Sequence, residues 1–211
     1  MTTHEVLFIL IAYLVGSIPC GFIIYYVTEK KDIRLEGSGN TGATNVLRTK
    51  GKKAAAATLL CDMLKGALPI IYGMSHFESP VVIACGGAAA VIGHIFPLFL
   101  KFKGGKGVAT SLGMVLGLYP YYTLPGLMTF AIWAIVVLIW RYISLASIIA
   151  AAAFPAILII MIIANSSRQW QFAGLWPLVL VAMLMATLVV VRHVENIKRL
   201  LEGSESKVLQ K

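Results

Sequence analysis

The stretch that most restricts this chain lies near its start. Residues 5–27, EVLFILIAYLVGSIPCGFIIYYV, carry no charge after Glu5. About 20 consecutive apolar residues cross a bilayer as a helix, and no buried strand reaches that length. Further apolar runs occupy 54–73, 80–100, 145–164 and 174–191, while 107–140 is too long for one helix and is broken at Tyr119-Pro120. Composition agrees: 59% of residues are hydrophobic, only 13% are charged and the mean hydropathy is +0.85, whereas a soluble domain has about a quarter of its residues charged. The expected fold is an all-α integral membrane protein, one multi-pass domain over 1–211.

This context decides how one motif is read. GSGNTG, residues 37–42, is a literal G-x-G-x-x-G, and Asp62 stands where a dinucleotide-binding fold places its ribose carboxylate. That fingerprint has meaning only between a strand and a helix of a βαβ unit. Here an apolar span precedes it and Asp62 falls inside another, so nucleotide binding is set aside.

Charge fixes the parity of the spans. Lys and Arg collect in short cytoplasmic loops, and an odd number of spans puts all 18 basic residues except Lys65 and Arg168 on one side. We expect seven, with 107–119 as a short fourth helix and 123–140 as the fifth, the amino terminus outside and the carboxyl terminus cytoplasmic. The net charge of +9 is then mostly topology, and nucleic acid is not an expected partner. Cys20, Cys61 and Cys85 lie in apolar runs without metal-ligand spacing and read as small hydrophobes.

Four polar stretches fall on the same predicted side. GSGNTGATNVLR, 37–48, suits an irregular backbone directed at an anion, with Gly37, Gly39, Asn40, Thr44 and Asn45 as substrate-binding candidates and Arg48 as a bidentate phosphate fork. In GHIFPLFLKFKGGKGVAT, 93–110, the Walker spacing is absent. Gly104, Gly105, Lys106 and Gly107 still join backbone amides, a point charge and a positive helix end, which together suit a phosphate. In RYISLAS, 141–147, Ser144 is a substrate-binding candidate in a stretch that also reads as a helix cap and anchor. In HVENIKRLLEGSESK, 193–207, His193 and Asn196 share a face if the last helix continues past the membrane. Asp62 and Lys65, at i and i+3 within a span, read as an internal ion pair that positions the loops.

These groups offer no nucleophilic triad, no carboxylate cluster for a metal and no H-x-x-x-x-D base, so no cofactor and no metal are expected. An organophosphate exchanger could use the same anion-binding loops, but it should show internal symmetry and a midplane site. No repeat is visible.

The stretches 37–48, 93–110 and 193–207, in that order and separated by apolar spans of fitting length, closely resemble the PlsY family, the bacterial acyl phosphate:glycerol-3-phosphate acyltransferases. The resemblance implies a seven-helix bundle in the cytoplasmic (inner) membrane with its active site facing the cytoplasm. It implies transfer of a fatty acyl group from acyl phosphate to the sn-1 hydroxyl of glycerol 3-phosphate, the first acylation of bacterial phospholipid biosynthesis. Ser38, Arg48, Lys106, His193 and Asn196 fall where the family's substrate-handling groups lie. Ser38, Arg48 and Asn196 are expected to clamp glycerol phosphate, Lys106 and its neighbouring amides to hold acyl phosphate, and the donor's own phosphate to take the hydroxyl proton. His193 is expected to orient a partner, with a general-base role as the competing version. The expected partners are the two substrates and membrane lipid, and the chain is expected to work as a monomer.

Overall fold

The computed structural model describes residues 1–165 and 170–208. Among them all regular structure is helical: α1 (Thr3–Gly16), α2 (Cys20–Glu29), α3 (Ala43–Lys50), α4 (Lys52–His76), α5 (Pro80–Ile95), α6 (Val108–Gly117), α7 (Thr123–Trp140), α8 (Ile143–Ala164), α9 (Phe172–Val191) and α10 (Val194–Leu201), with 3₁₀ turns at Ile33–Leu35 and Leu98–Leu100. Among the described residues six stretches are long and apolar enough to cross a membrane, α1 and α2 counting together as one of 27 residues, and α6 is a shorter apolar helix of 10 residues. The chain forms two compact units, Met1–Leu118 and Tyr119–Lys211, which divide at the predicted break. Arg168 and Lys211, used above to set the topology, lie outside the described residues.

Three expectations need correction. The first span is not one helix: α1 ends at Gly16 and α2 begins at Cys20. Pro19 has no N–H to donate there, and Ser17 Oγ turns back to donate to the Tyr13 carbonyl at 2.9 Å. The segment 37–48 is irregular only to Gly42, because α3 then carries Thr44, Asn45 and Arg48. The last span does not continue into the tail either; it stops at Val191, and α10 starts afresh with His193 in the N-cap position.

In the first unit α5 is the central helix. Most of the apolar span Pro80–Leu100 that it forms is buried, against about a third or less of the first span and of α4. Its small residues allow backbones to meet, as in membrane helix packing generally. A Cβ on Gly16 would strike the Ala90 backbone, and one on Gly93 would strike the Tyr13 carbonyl. Gly66 and Gly113 play the same part between α4 and α6, facing Thr110 and Met63. Phe8 packs on Gly86 while Gly16 meets Ala90, so α1 and α5 point the same way. The segments after α2 and after α5, which hold the first two polar stretches, therefore share one end of this unit.

In the second unit α7 and α8 are antiparallel, joined by Trp133 Nε1 donating to Ser147 Oγ at 3.3 Å and by the Tyr122–Phe154 edge contact at 5.2 Å. Tyr122 Oη donates to the Leu178 carbonyl of α9 at 2.5 Å. The start of α8 and the tail beyond α9 share one end of this unit, where Ser144 bonds Glu205.

Candidate functional site

The first loop is organised by Asn45. This side chain is 1% exposed. Its Oδ1 accepts from Ser38 N–H at 2.8 Å, and its Nδ2 donates to the carbonyls of Asn40 at 2.8 Å and Glu36 at 3.0 Å. Gly39 N–H goes to the Glu36 carbonyl, and Gly42 N–H goes to Asn40 Oδ1. Gly37 (φ +57°) and Gly39 (φ +70°) take left-handed backbone, and a Cβ on Gly37 would overlap Asn45 Oδ1. Asn45, Asn40 and the Ser38, Gly39 and Gly42 amides thus hold the loop to itself. That differs from the expectation that they face an anion, because a buried polar group must be satisfied locally. The Ser38 and Thr44 hydroxyls and the Arg48 guanidinium have no hydrogen bond or ion pair among the described residues. Ser38 and Arg48 are exposed. Beside the loop, Asp32 and Arg34 pair at 2.6 Å, and that hydrogen-bonded guanidinium holds the Asp32 carboxyl below the usual carboxylate range.

The glycine-rich loop is seated on α5. Gly105 N–H donates to the His94 carbonyl at 3.0 Å and Gly104 N–H to the Ile95 carbonyl at 3.2 Å. These two amides are therefore committed within the chain, contrary to the expectation that they cradle a phosphate. Close approach is what they contribute: a Cβ on Gly105 would run into the His94 ring, and one on Gly104 into the His94 carbonyl and Pro97. Gly107, at φ +84°, caps α6, and half-buried Lys106 precedes it. In the first turns of α6 the buried hydroxyl oxygens of Thr110 and Ser111 find no hydrogen-bond partner among the described residues. Sequence reading assigned neither hydroxyl a role. Their place after a positive helix end was the available signal.

In the second unit Glu205 is the hub that sequence reading missed. Its Oε1 accepts from Asn196 Nδ2 at 2.8 Å and from Ser144 Oγ at 2.9 Å, and its Oε2 accepts from Arg199 Nε at 2.7 Å. Burial pushes the Glu205 carboxyl up, but the hydrogen bonds from Arg199, Asn196 and Ser144 outweigh it and hold the group below the usual range. Ser144 and Asn196 are both buried and brought together here, each committing a donor to a carboxylate. His193 is 2% exposed, and its Nδ1 lies 2.7 Å from the Val189 carbonyl. A carbonyl only accepts, so Nδ1 carries a proton and donates it to Val189.

Inside the first unit the predicted pair forms, with Lys65 Nζ 3.0 Å from Asp62 Oδ1 and both side chains buried. A third member was not foreseen: His94 Nδ1 lies 3.5 Å from the same oxygen.

Known proteins match this chain along its length. The family model for glycerol-3-phosphate acyltransferase matches residues 6–203. The "Glycerol-3-phosphate acyltransferase" of Syntrophotalea carbinolica is 45% identical over 208 residues, covering 98% of each chain. That of Bartonella henselae is 44% identical, covering 96% of this chain and 90% of its own. The crystal structure of PlsY (YgiH) in its glycerol 3-phosphate form superposes with a TM-score of 0.83 at 37% identity, covering 97% of this chain and 95% of that one. Its lysophosphatidic acid form gives 0.80 at 36%. Helices of membrane-crossing length, the glycine-rich loops in their expected order and full-length similarity agree: this integral membrane chain belongs to the glycerol-3-phosphate acyltransferase family.

Proposed function

We propose that this acyltransferase moves a fatty acyl group from acyl phosphate to the sn-1 hydroxyl of glycerol 3-phosphate, releasing 1-acyl-glycerol 3-phosphate and inorganic phosphate. The observation that carries the reading is the exposed Ser38 hydroxyl and Arg48 guanidinium on a loop whose backbone is already satisfied by Asn45. Such a loop presents donors to an anion without rearranging, and a guanidinium matches a phosphate bidentately. The form of a related PlsY crystallised with glycerol 3-phosphate supports this substrate.

In the reaction the sn-1 oxygen attacks the acyl carbon, and the bond from that carbon to the phosphate oxygen breaks. The hydroxyl proton passes to a phosphate oxygen of the donor and leaves with it. An acyl phosphate is a mixed anhydride with a good leaving group, so the protein's part is to hold and align, and orientation alone contributes on the order of 7–11 kcal/mol. Arg48 and Ser38 hold glycerol phosphate. Lys106 at the head of α6, with the Thr110 and Ser111 hydroxyls behind it, holds the donor phosphate. The whole chain works as one acyltransferase domain in the cytoplasmic membrane, with its basic loops on the cytoplasmic side as the charge distribution requires.

Detergent-purified protein given glycerol 3-phosphate and, in parallel, palmitoyl phosphate, palmitoyl-CoA or palmitoyl carrier protein tests the donor. Product from palmitoyl phosphate alone is expected. Product from either thioester alone overturns it.

A further inference from the structure

Three buried groups lie where the first span breaks. Lys65 Nζ donates to the Ile18 carbonyl at 2.8 Å, a carbonyl in the interrupted turn between α1 and α2. Asp62 Oδ1 sits within ion-pair distance of both Lys65 and His94 but meets aligned hydrogen-bond geometry with neither. The His94 ring in turn fills the space that a Cβ on Gly105 would need, and the His94 carbonyl receives the Gly105 N–H. Just beyond the break, Gly21 touches the Thr41 carbonyl so closely that a Cβ there would overlap it. Ile18, Gly21, Thr41, Asp62, Lys65 and His94 all line one narrow cleft at this point.

We propose that Lys65, Asp62 and His94 are positioning residues: a buried relay that sets the glycine-rich loop through the His94 ring and sets the Ser38 loop through the helix break and Thr41. An ion pair inside a membrane protein is costly to bury and is often matched or exceeded in stability by apolar residues of similar size. Stability alone therefore gives little reason for one at this point. Location gives a reason, because the pair sits where one adjustment of a side chain would move both loops. A displacement of about 1 Å in a catalytic group lowers turnover roughly 100-fold, so the relay's rigidity would bear directly on the reaction.

The inference rests on the acyl-transfer reading, and its test is arranged so that the two fail separately. Wild type, Asp62→Asn and the double variant Asp62→Asn/Lys65→Met are purified in detergent and compared by thermal unfolding and by kcat and KM for palmitoyl phosphate and glycerol 3-phosphate. Asp62→Asn should lower both the unfolding midpoint and kcat/KM, the latter about 100-fold. The double variant leaves no unpaired buried charge, so its midpoint should return toward wild type while KM for the phosphate substrates stays raised and kcat/KM stays low. A role in stability alone predicts that kinetics recover with the midpoint, and that result overturns the relay. So does wild-type kcat/KM in Asp62→Asn, which reads the same split if the double variant is lost in purification.

A second readout needs no turnover. Inorganic phosphate should shield Lys106 from an amine reagent in wild type, followed by mass spectrometry, and shield it less in the variants. Equal shielding overturns the relay. Absence of acyl transfer in wild type overturns the functional reading alone.

Discussion

The loop at 37–48 and the tail at 193–205 are both short polar segments next to membrane helices, and they dispose of their polar groups in opposite ways. In the loop, buried Asn45 satisfies the backbone from within, so Ser38 and Arg48 are left on the surface with their side chains unengaged. In the tail, Ser144, Asn196 and Arg199 all converge on the Glu205 carboxylate. The loop is built to display a charge, and the tail is built as a lock that holds α10 and the chain end to the start of α8. Removing the displayed group should therefore cost catalysis, and removing the hub should cost the fold.

The largest effect is expected at the lock. Glu205→Ala strands the buried Asn196 and Ser144 donors and frees Arg199, so stability should fall by about 2–5 kcal/mol, read as a lower thermal midpoint in detergent. An unchanged midpoint would erase the contrast. Next comes the displayed charge: Arg48→Ala removes one charge-assisted phosphate contact, about 1.5–3 kcal/mol or roughly 10- to 150-fold in kcat/KM, with the midpoint unmoved. Asn45→Ala sharpens the division inside the loop. It orphans the Ser38 N–H and the Asn40 carbonyl at about 1–3 kcal/mol, so here stability and activity should fall together.

The smallest effect is a pH dependence. Because hydrogen bonds hold the folded Glu205 carboxyl below its usual value, its ionised form contributes stability that is complete above the usual carboxylate range. That contribution is lost as pH falls through the lowered folded value. Wild type should lose midpoint across that acid window more steeply than Glu205→Gln, and parallel curves would contradict the lock.

Much of this architecture was legible in the residues, and the exceptions have a common cause. Apolar length located the spans, and Tyr119-Pro120 marked where the chain divides into units. The same measure was blind to the break at Ser17–Pro19, because an interrupted helix stays apolar and Gly16 and Pro19 were the only local signals. The ion pair of Asp62 and Lys65 was readable because i and i+3 share a helix face. His94 was not, since its contact depends on how α4 and α5 pack. Glu205 escaped for a similar reason: it follows α10 and meets its partners only when the chain turns back past Gly203 (φ +70°). Asn45 looked like a ligand group because composition shows that a loop is rich in donors, but not which of them the loop itself consumes.

The proposed acyl transfer depends on the groups that hold phosphate. The direct measurement is the initial rate of lysophosphatidic acid and phosphate formation from palmitoyl phosphate and glycerol 3-phosphate, at equal folded concentrations of wild type and Arg48→Ala. Wild type should form the two products one for one, with the variant slower by roughly 10- to 150-fold. Phosphate release without acylated product in wild type, or matching rates in the two proteins, would contradict it.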